Sequence, residues 1–195
     1  MLAESATRYH SSARMILPGH PFDRFGPANQ VTAVRALLTL VVAMLALREP
    51  SGATAWAAVG LGLIVTLLDG VDGWLARKSR MVSAFGARFD LEVDALLVLA
   101  LSVLTWRHGK TGPWILASGL MRYLFVAAGW PLPWMRRPLP PSRRRQTVCV
   151  VQIASFLVAL LPVVPAPVAT ILTALSLAAL CYSFLVDVLW LRQMA

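Results

Sequence analysis

The sequence predicts an all-α integral membrane protein with six transmembrane helices, and three observations carry that prediction. Hydrophobic residues make up 58% of the 195 and charged residues only 14%, against about 25% charged in a water-soluble domain. Mean hydropathy is +0.69. Six apolar segments, each close to a bilayer thickness as a helix, are separated by breakers. The basic residues collect at the ends of those segments and mostly on one side. The length suits one domain.

In chain order, residues 1–29 read as an N-terminal cytoplasmic segment ahead of a membrane domain over 30–195. The leading segment has no uninterrupted apolar core, so it does not read as a signal peptide. Leu2, Tyr9, Met15 and Ile16 alternate there with Arg8 and Arg14, which fits an interfacial helix over 1–17 and, equally, a frayed terminus. The spans follow at 31–47, 53–75, 89–106, 113–130, 147–161 and 168–191. Arg48-Glu49-Pro50-Ser51-Gly52 closes the first and His108-Gly109-Lys110 the third; Pro-rich 131–141 and 162–167 flank the fifth. Exposed strands would leave backbone groups unsatisfied in lipid, and no barrel-like alternation is present, so the spans are helices. Trp56, Trp106, Trp114, Trp130, Trp134 and Trp190 mark span ends, as interfacial anchors do.

The basic residues set the orientation. Arg8, Arg14, Arg24 and Arg35 precede or open the first span. Arg77, Lys78, Arg80 and Arg88 lie between the second and third, and Arg136, Arg137, Arg143, Arg144 and Arg145 between the fourth and fifth. Only Arg48, Arg107 and Lys110 oppose them. The positive-inside rule then puts both termini in the cytoplasm, in a multi-pass protein of the cytoplasmic (inner) membrane. The same distribution argues against nucleic acid as a partner, despite a net charge of +9: the cations face no common polar surface with interleaved aromatics. Cys149 and Cys181 sit in apolar runs without metal-ligand spacing and read as small buried hydrophobes. His10, His20 and His108 are isolated and read as surface histidines.

The acidic residues are the informative minority. Asp69, Asp72, Asp90, Glu92 and Asp94 crowd into one stretch, inside or beside apolar segments. Carboxylates at membrane depth are costly unless they meet cations or a wet cavity, so they point to function. Asp69 and Asp72 share a helix face, as do Asp90 and Asp94. A short turn between the second and third spans (78–86) makes those helices antiparallel neighbours and brings four carboxylates together at the cytoplasmic boundary. Such a group needs counter-charge, and oxygen-only ligands select magnesium, manganese or calcium over zinc. Two such ions suit phosphoryl displacement, with Arg77 a fixed positive charge for a phosphate. No Gly-rich P-loop is present. A transporter using the acids as an ion path would spread them along the depth of several helices. Here they sit at one end of two, which favours an enzyme.

Asp69-x2-Asp72-Gly73-x2-Ala76-Arg77-x8-Gly86-x3-Asp90-x3-Asp94 resembles the signature of the CDP-alcohol phosphotransferase family at every specified residue. The stretch from Pro27 to Arg35, with Asn29 and Thr32, is similar to the Asn-x-x-Thr that leads into the family's first span. The resemblance implies six spans and two magnesium or manganese ions held by Asp69, Asp72, Asp90 and Asp94, with Asp94 also the general base. It implies that Asp72, Gly73 and Arg77 contact the CDP donor, with Ser83, Asn29 and Thr32 as further donor contacts. It implies a transferase of phospholipid biosynthesis, working at the bilayer as a homodimer. The donor is then CDP-diacylglycerol, the acceptor a small polar alcohol, and CMP is released.

The chain departs from the family pattern near the acceptor. Ser142-Arg143-Arg144-Arg145-Gln146-Thr147 stands where many members carry a Gly-Lys-x-x-Thr-like stretch, and Arg122-Tyr123 where some glycerol-phosphate users carry Arg-Glu. Arg122 sits mid-span and is expected to meet an acceptor phosphate or the metal-site carboxylates. Arg143, Arg144 and Arg145 are candidates for the same phosphate. A phosphorylated acceptor such as glycerol 3-phosphate is expected, with inositol phosphate or an uncharged alcohol the alternatives. Asp187, in the last span, is expected to pair with an arginine such as Arg122. Glu92 is expected to be solvated or in a salt bridge.

Overall fold

The computed structural model describes residues 27–79 and 84–194, with side chains described for 30–70, 86 and 88–194. All regular structure among them is helical. Helix α1 spans Pro27–Leu45, α2 Gly52–Ser79, α3 Ala84–Arg107, α4 Leu116–Ala128, α5 Arg143–Leu160 and α6 Ala166–Gln193. Single 3-10 turns at Pro113–Ile115 and Pro133–Arg136 flank α4. Each predicted segment corresponds to one helix. The predicted interfacial helix lies outside the described residues.

The boundaries differ where hydropathy and helicity part company. The predicted connection 78–86 is shorter, because α2 continues to Ser79 and α3 already begins at Ala84. Polar and charged residues end an apolar run without ending a helix. For the same reason α5 starts at Arg143, so Arg143, Arg144 and Arg145 are its first turn rather than part of a loop. Two stretches are long and apolar enough to cross a bilayer unaided, Gly52–Gly70 and Ala166–Gln193; Gln30–Leu45 and Pro113–Ala128 are apolar but shorter.

Helix α3 is the hub. It packs against α1, α4 and α5, while α2 packs on α1 and α5, and α6 on α5. Val42, Ala58, Val65, Leu97, Leu101 and Phe156 form the centre of one apolar core. Gly119 lets α4 close on α3, since a Cβ there would stand 2.5 Å from Leu99 Cα. Buried Ser102, Thr105 and Thr173 hydroxyls donate to carbonyls one turn back at 2.7, 2.7 and 2.8 Å. Such back-bonding satisfies a small polar group inside a helix interface.

Helix α1 is inverted relative to a helix in water. Its buried face carries Thr32, Arg35 and Thr39 before Val42, while Leu37, Leu40 and Met44 are exposed. The same is true of Ile171, Leu175, Leu185 and Leu189 on α6. Cys181 on that helix is exposed and Cys149 only half-buried, which corrects the expectation that both are buried. An apolar run allows either location when a helix presents apolar residues outward.

At the end of α3, Gly109 adopts φ 64°. Its N–H bonds to Trp106 O at 2.9 Å and that of Lys110 to Thr105 O at 3.1 Å, a Schellman stop that glycine makes easy. His108 beside it is no free surface histidine. Its Nε2 lies 3.1 Å from Thr54 Oγ1 and its Nδ1 2.8 Å from Leu104 O, tying α3 to the start of α2.

Candidate active site

Asp69 lies in the C-terminal half of α2 and Asp94 in the N-terminal half of α3, and both helices pack on α1. Asp90 is one turn before Asp94 on the same face. Carboxylate oxygens of Asp69, Asp90 and Asp94 all lie within 4.8 Å of one another. Oxygens on opposite sides of a hard cation stand about 4–5 Å apart, so this donor set fits a divalent ion. Its chemistry fits too, being oxygen alone. The Asp69 and Asp90 side chains are 36% and 37% exposed and that of Asp94 is 19% exposed, so the group is reachable from solution.

Helix α1 supplies the counter-charge. Arg35 is fully buried. Its Nη2 lies 2.8 Å from Asp69 Oδ1 and 2.6 Å from Asp94 Oδ1, and Nη1 donates to Asp90 Oδ1. One guanidinium from a third helix therefore engages all three carboxylates. In sequence Arg35 reads as a topology signal, yet it stands one turn from Thr32 and Thr39 inside an apolar run, where an arginine is costly unless it meets anions. The other Asp94 oxygen, Oδ2, lies 3.8 Å from the Cys149 thiol on α5.

Gln152, one turn beyond Cys149, was also missed. It is 1% exposed, and neither amide atom has a hydrogen-bond partner among the described residues. A glutamine inside the apolar run 147–161 was the available signal.

The remaining predicted residues divide into three groups. Asn29 on α1, and Asp72, Gly73 and Arg77 on α2, lie on described backbone, but their side chains are outside the described set; Ser83 is outside it altogether. Thr32 is buried, one turn before Arg35 on α1. Arg122, Arg144 and Arg145 are engaged elsewhere. Arg122 on α4 donates to Glu92 rather than to the clustered aspartates, because Glu92 lies off the Asp90/Asp94 face and toward α4. Asp187 pairs not with Arg122 but with Arg144 and Arg145, the latter at 3.2 Å. This follows from α6 packing on α5, whose first turn brings two guanidiniums to one carboxylate. Arg145 also donates to Pro140 O.

The described residues are helical throughout their regular structure, and two of the helices offer an oxygen-only carboxylate group that could hold a divalent ion, an arrangement compatible with a metal-assisted transferase. The sequence profile of CDP-alcohol phosphatidyltransferases matches residues 26–185, and the chain belongs to that family of transferases. It is 34% identical over 103 residues to a CDP-diacylglycerol–glycerol-3-phosphate 3-phosphatidyltransferase of Cereibacter sphaeroides, covering 51% of this chain and 46% of that protein. It is 40% identical over 79 residues to a phosphatidylinositol phosphate synthase of Corynebacterium glutamicum, covering 40% and 35% respectively. The aligned regions thus span less than half of either relative.

Proposed function

We infer that the chain transfers a phosphatidyl group from CDP-diacylglycerol to the hydroxyl of a small phosphorylated alcohol, with glycerol 3-phosphate the first choice, and releases CMP. The observation that carries this reading is the convergence of Asp69, Asp90 and Asp94 from two helices to within 4.8 Å. Asp72, one turn past Asp69 on α2, completes the proposed ligand set for two magnesium or manganese ions. When bound, such ions offset the charge developing on the attacking and leaving oxygens.

The chain's own residues supply the rest. Asp94 is the proposed general base: Arg35 holds its Oδ1 at 2.6 Å, leaving Oδ2 to accept the acceptor's proton. The freed alkoxide oxygen bonds to the donor's β-phosphorus, and the bond from that phosphorus to the bridging oxygen breaks, so CMP carries the electron pair away. Gly73 leaves room on α2 for the donor, and Arg77 meets its diphosphate with a charge-assisted bond. Asn29, Thr32 and Ser83 are the further proposed donor contacts. Arg144 and Arg145 share one carboxylate, Asp187, and with Arg143 beside them in the first turn of α5 the surplus positive charge suits an acceptor phosphate. Arg122 is the weaker acceptor contact, since Glu92 already engages it. The relative that is a phosphatidylinositol phosphate synthase makes inositol phosphate the second acceptor to try.

In this reading residues 30–195 form a six-span membrane domain, 1–29 a cytoplasmic segment, and the working unit is a homodimer. The outward apolar faces of α1 and α6 support burial in lipid, and the arginine distribution supports cytoplasmic termini and site. The test is direct. Purified protein receives labelled CDP-diacylglycerol with glycerol 3-phosphate, inositol phosphate or an uncharged alcohol, and CMP and lipid product are measured. Turnover with the phosphorylated acceptors, lost with EDTA, is expected. Turnover with the uncharged alcohol alone would overturn the acceptor assignment.

A further inference from the structure

The least expected feature of the site is a protein guanidinium placed among its carboxylates. Arg35 has the largest fully buried side chain among the described residues, and it enters from α1, which contributes none of the clustered carboxylates. A guanidinium cannot lose its charge under ordinary conditions, so burying it requires anions. Three crowded carboxylates likewise cannot all remain ionised without a cation. Each solves the other's difficulty through contacts at 2.8 Å to Asp69 and 2.6 Å to Asp94, and the bond to Asp90.

These contacts fall on the same carboxylate groups that would bind a divalent ion. We propose that Arg35 is a resident counter-cation of the carboxylate site, which holds Asp69, Asp90 and Asp94 in register without metal and competes with the ion for them. Arg35 is then a positioning residue that sets the concentration at which the site loads. One guanidinium against three carboxylates leaves the group net negative, so it lowers affinity for a divalent ion without abolishing it. The planar fork spreads its donors over separate nitrogens to span several oxygens, whereas an ammonium concentrates its three donors on one atom. This inference rests on the metal-binding reading above, and the experiment separates the two.

The full chain, purified in detergent and stripped with EDTA, is titrated with Mn²⁺. Free Mn²⁺ is followed by electron paramagnetic resonance and the melting temperature is recorded in parallel. Wild type, Arg35→Gln and Arg35→Lys are compared. For Arg35→Gln the metal-free protein is expected to melt lower than wild type. It should bind Mn²⁺ at least tenfold more tightly and gain more melting temperature from it. Arg35→Lys should shift both quantities in the same direction by less. If Arg35→Gln cannot be purified without metal, Arg35→Lys alone decides, by the direction of its Mn²⁺ affinity. Unchanged or weaker Mn²⁺ binding in the folded variants overturns the competition. A melting temperature lowered equally with and without Mn²⁺ reduces Arg35 to a structural ion pair. Absence of Mn²⁺ binding by wild type itself would instead bring down the metal reading along with this one.

Discussion

At the scale of single residues, Asp94 and Gln152 make contrasting demands. Asp94 is the proposed base, and general-base catalysis contributes roughly 10²–10⁴-fold. Asp94→Asn should therefore lower CMP release by at least that factor while CDP-diacylglycerol still binds. Retention of more than a tenth of the rate would exclude it as the base. Gln152 is buried with both amide atoms unpaired, which costs about 1–3 kcal/mol by comparison with other proteins. Gln152→Met keeps the volume and removes the orphaned groups. A higher melting temperature with slower turnover is expected, the pattern of a polar group kept for function rather than stability. A lower melting temperature would mean that the amide contributes to holding the fold. The sequence displayed Asp94 through its spacing. It hid the importance of Arg35, which acquires its meaning from side chains on other helices, and of Gln152, whose burial is set by how the helices pack.

At the scale of elements, the joints between helices decide the outcome. Gly119 carries the α3–α4 approach, with no space for a Cβ 2.5 Å from backbone. Gly119→Val should destabilise by about 1–3 kcal/mol through overpacking, read as a drop in melting temperature in detergent. The start of α5 is a second joint. Three arginines in a first turn oppose the helix dipole, and Asp187 from α6 offsets two of them. Asp187→Asn should cost about 2 kcal/mol, less than the about 3–5 of a fully buried pair because both guanidiniums are partly exposed. Its effect on acceptor KM separates two roles. If the arginines bind an acceptor phosphate, releasing them lowers that KM, whereas an unchanged KM confines the trio to holding α5 and α6 together. Helix existence was legible in the apolar runs and their breakers. Helix ends were not, because Arg143 to Arg145 and Ala84 to Arg88 continue helices whose apolar character has lapsed.

At the scale of the whole molecule, the arrangement of charge makes its own prediction. With cations concentrated at the N-terminal segment and at the second-to-third and fourth-to-fifth connections, reporter fusions at either terminus should signal from the cytoplasm. A fusion placed in 108–112 should signal from the opposite side. Reporters at 108–112 and at the C-terminus on the same face would remove the six-span topology.

The sequence by itself determined that the chain is helical, apolar and built around an acidic motif, because hydropathy, breakers and the spacing of Asp69, Asp90 and Asp94 are properties of one or two neighbouring helices. Only the tertiary structure decided which charges meet. Arg35 goes to the aspartates, Arg122 to Glu92, and Asp187 to Arg144 and Arg145. Those pairings join residues on different helices, 30 to 59 positions apart, and the range of an ion pair in space has no counterpart in sequence separation. The physical reason is that a buried charge takes whichever opposite charge the packing of helices delivers, and that delivery is fixed by α3 meeting α1, α4 and α5 and by α5 meeting α6.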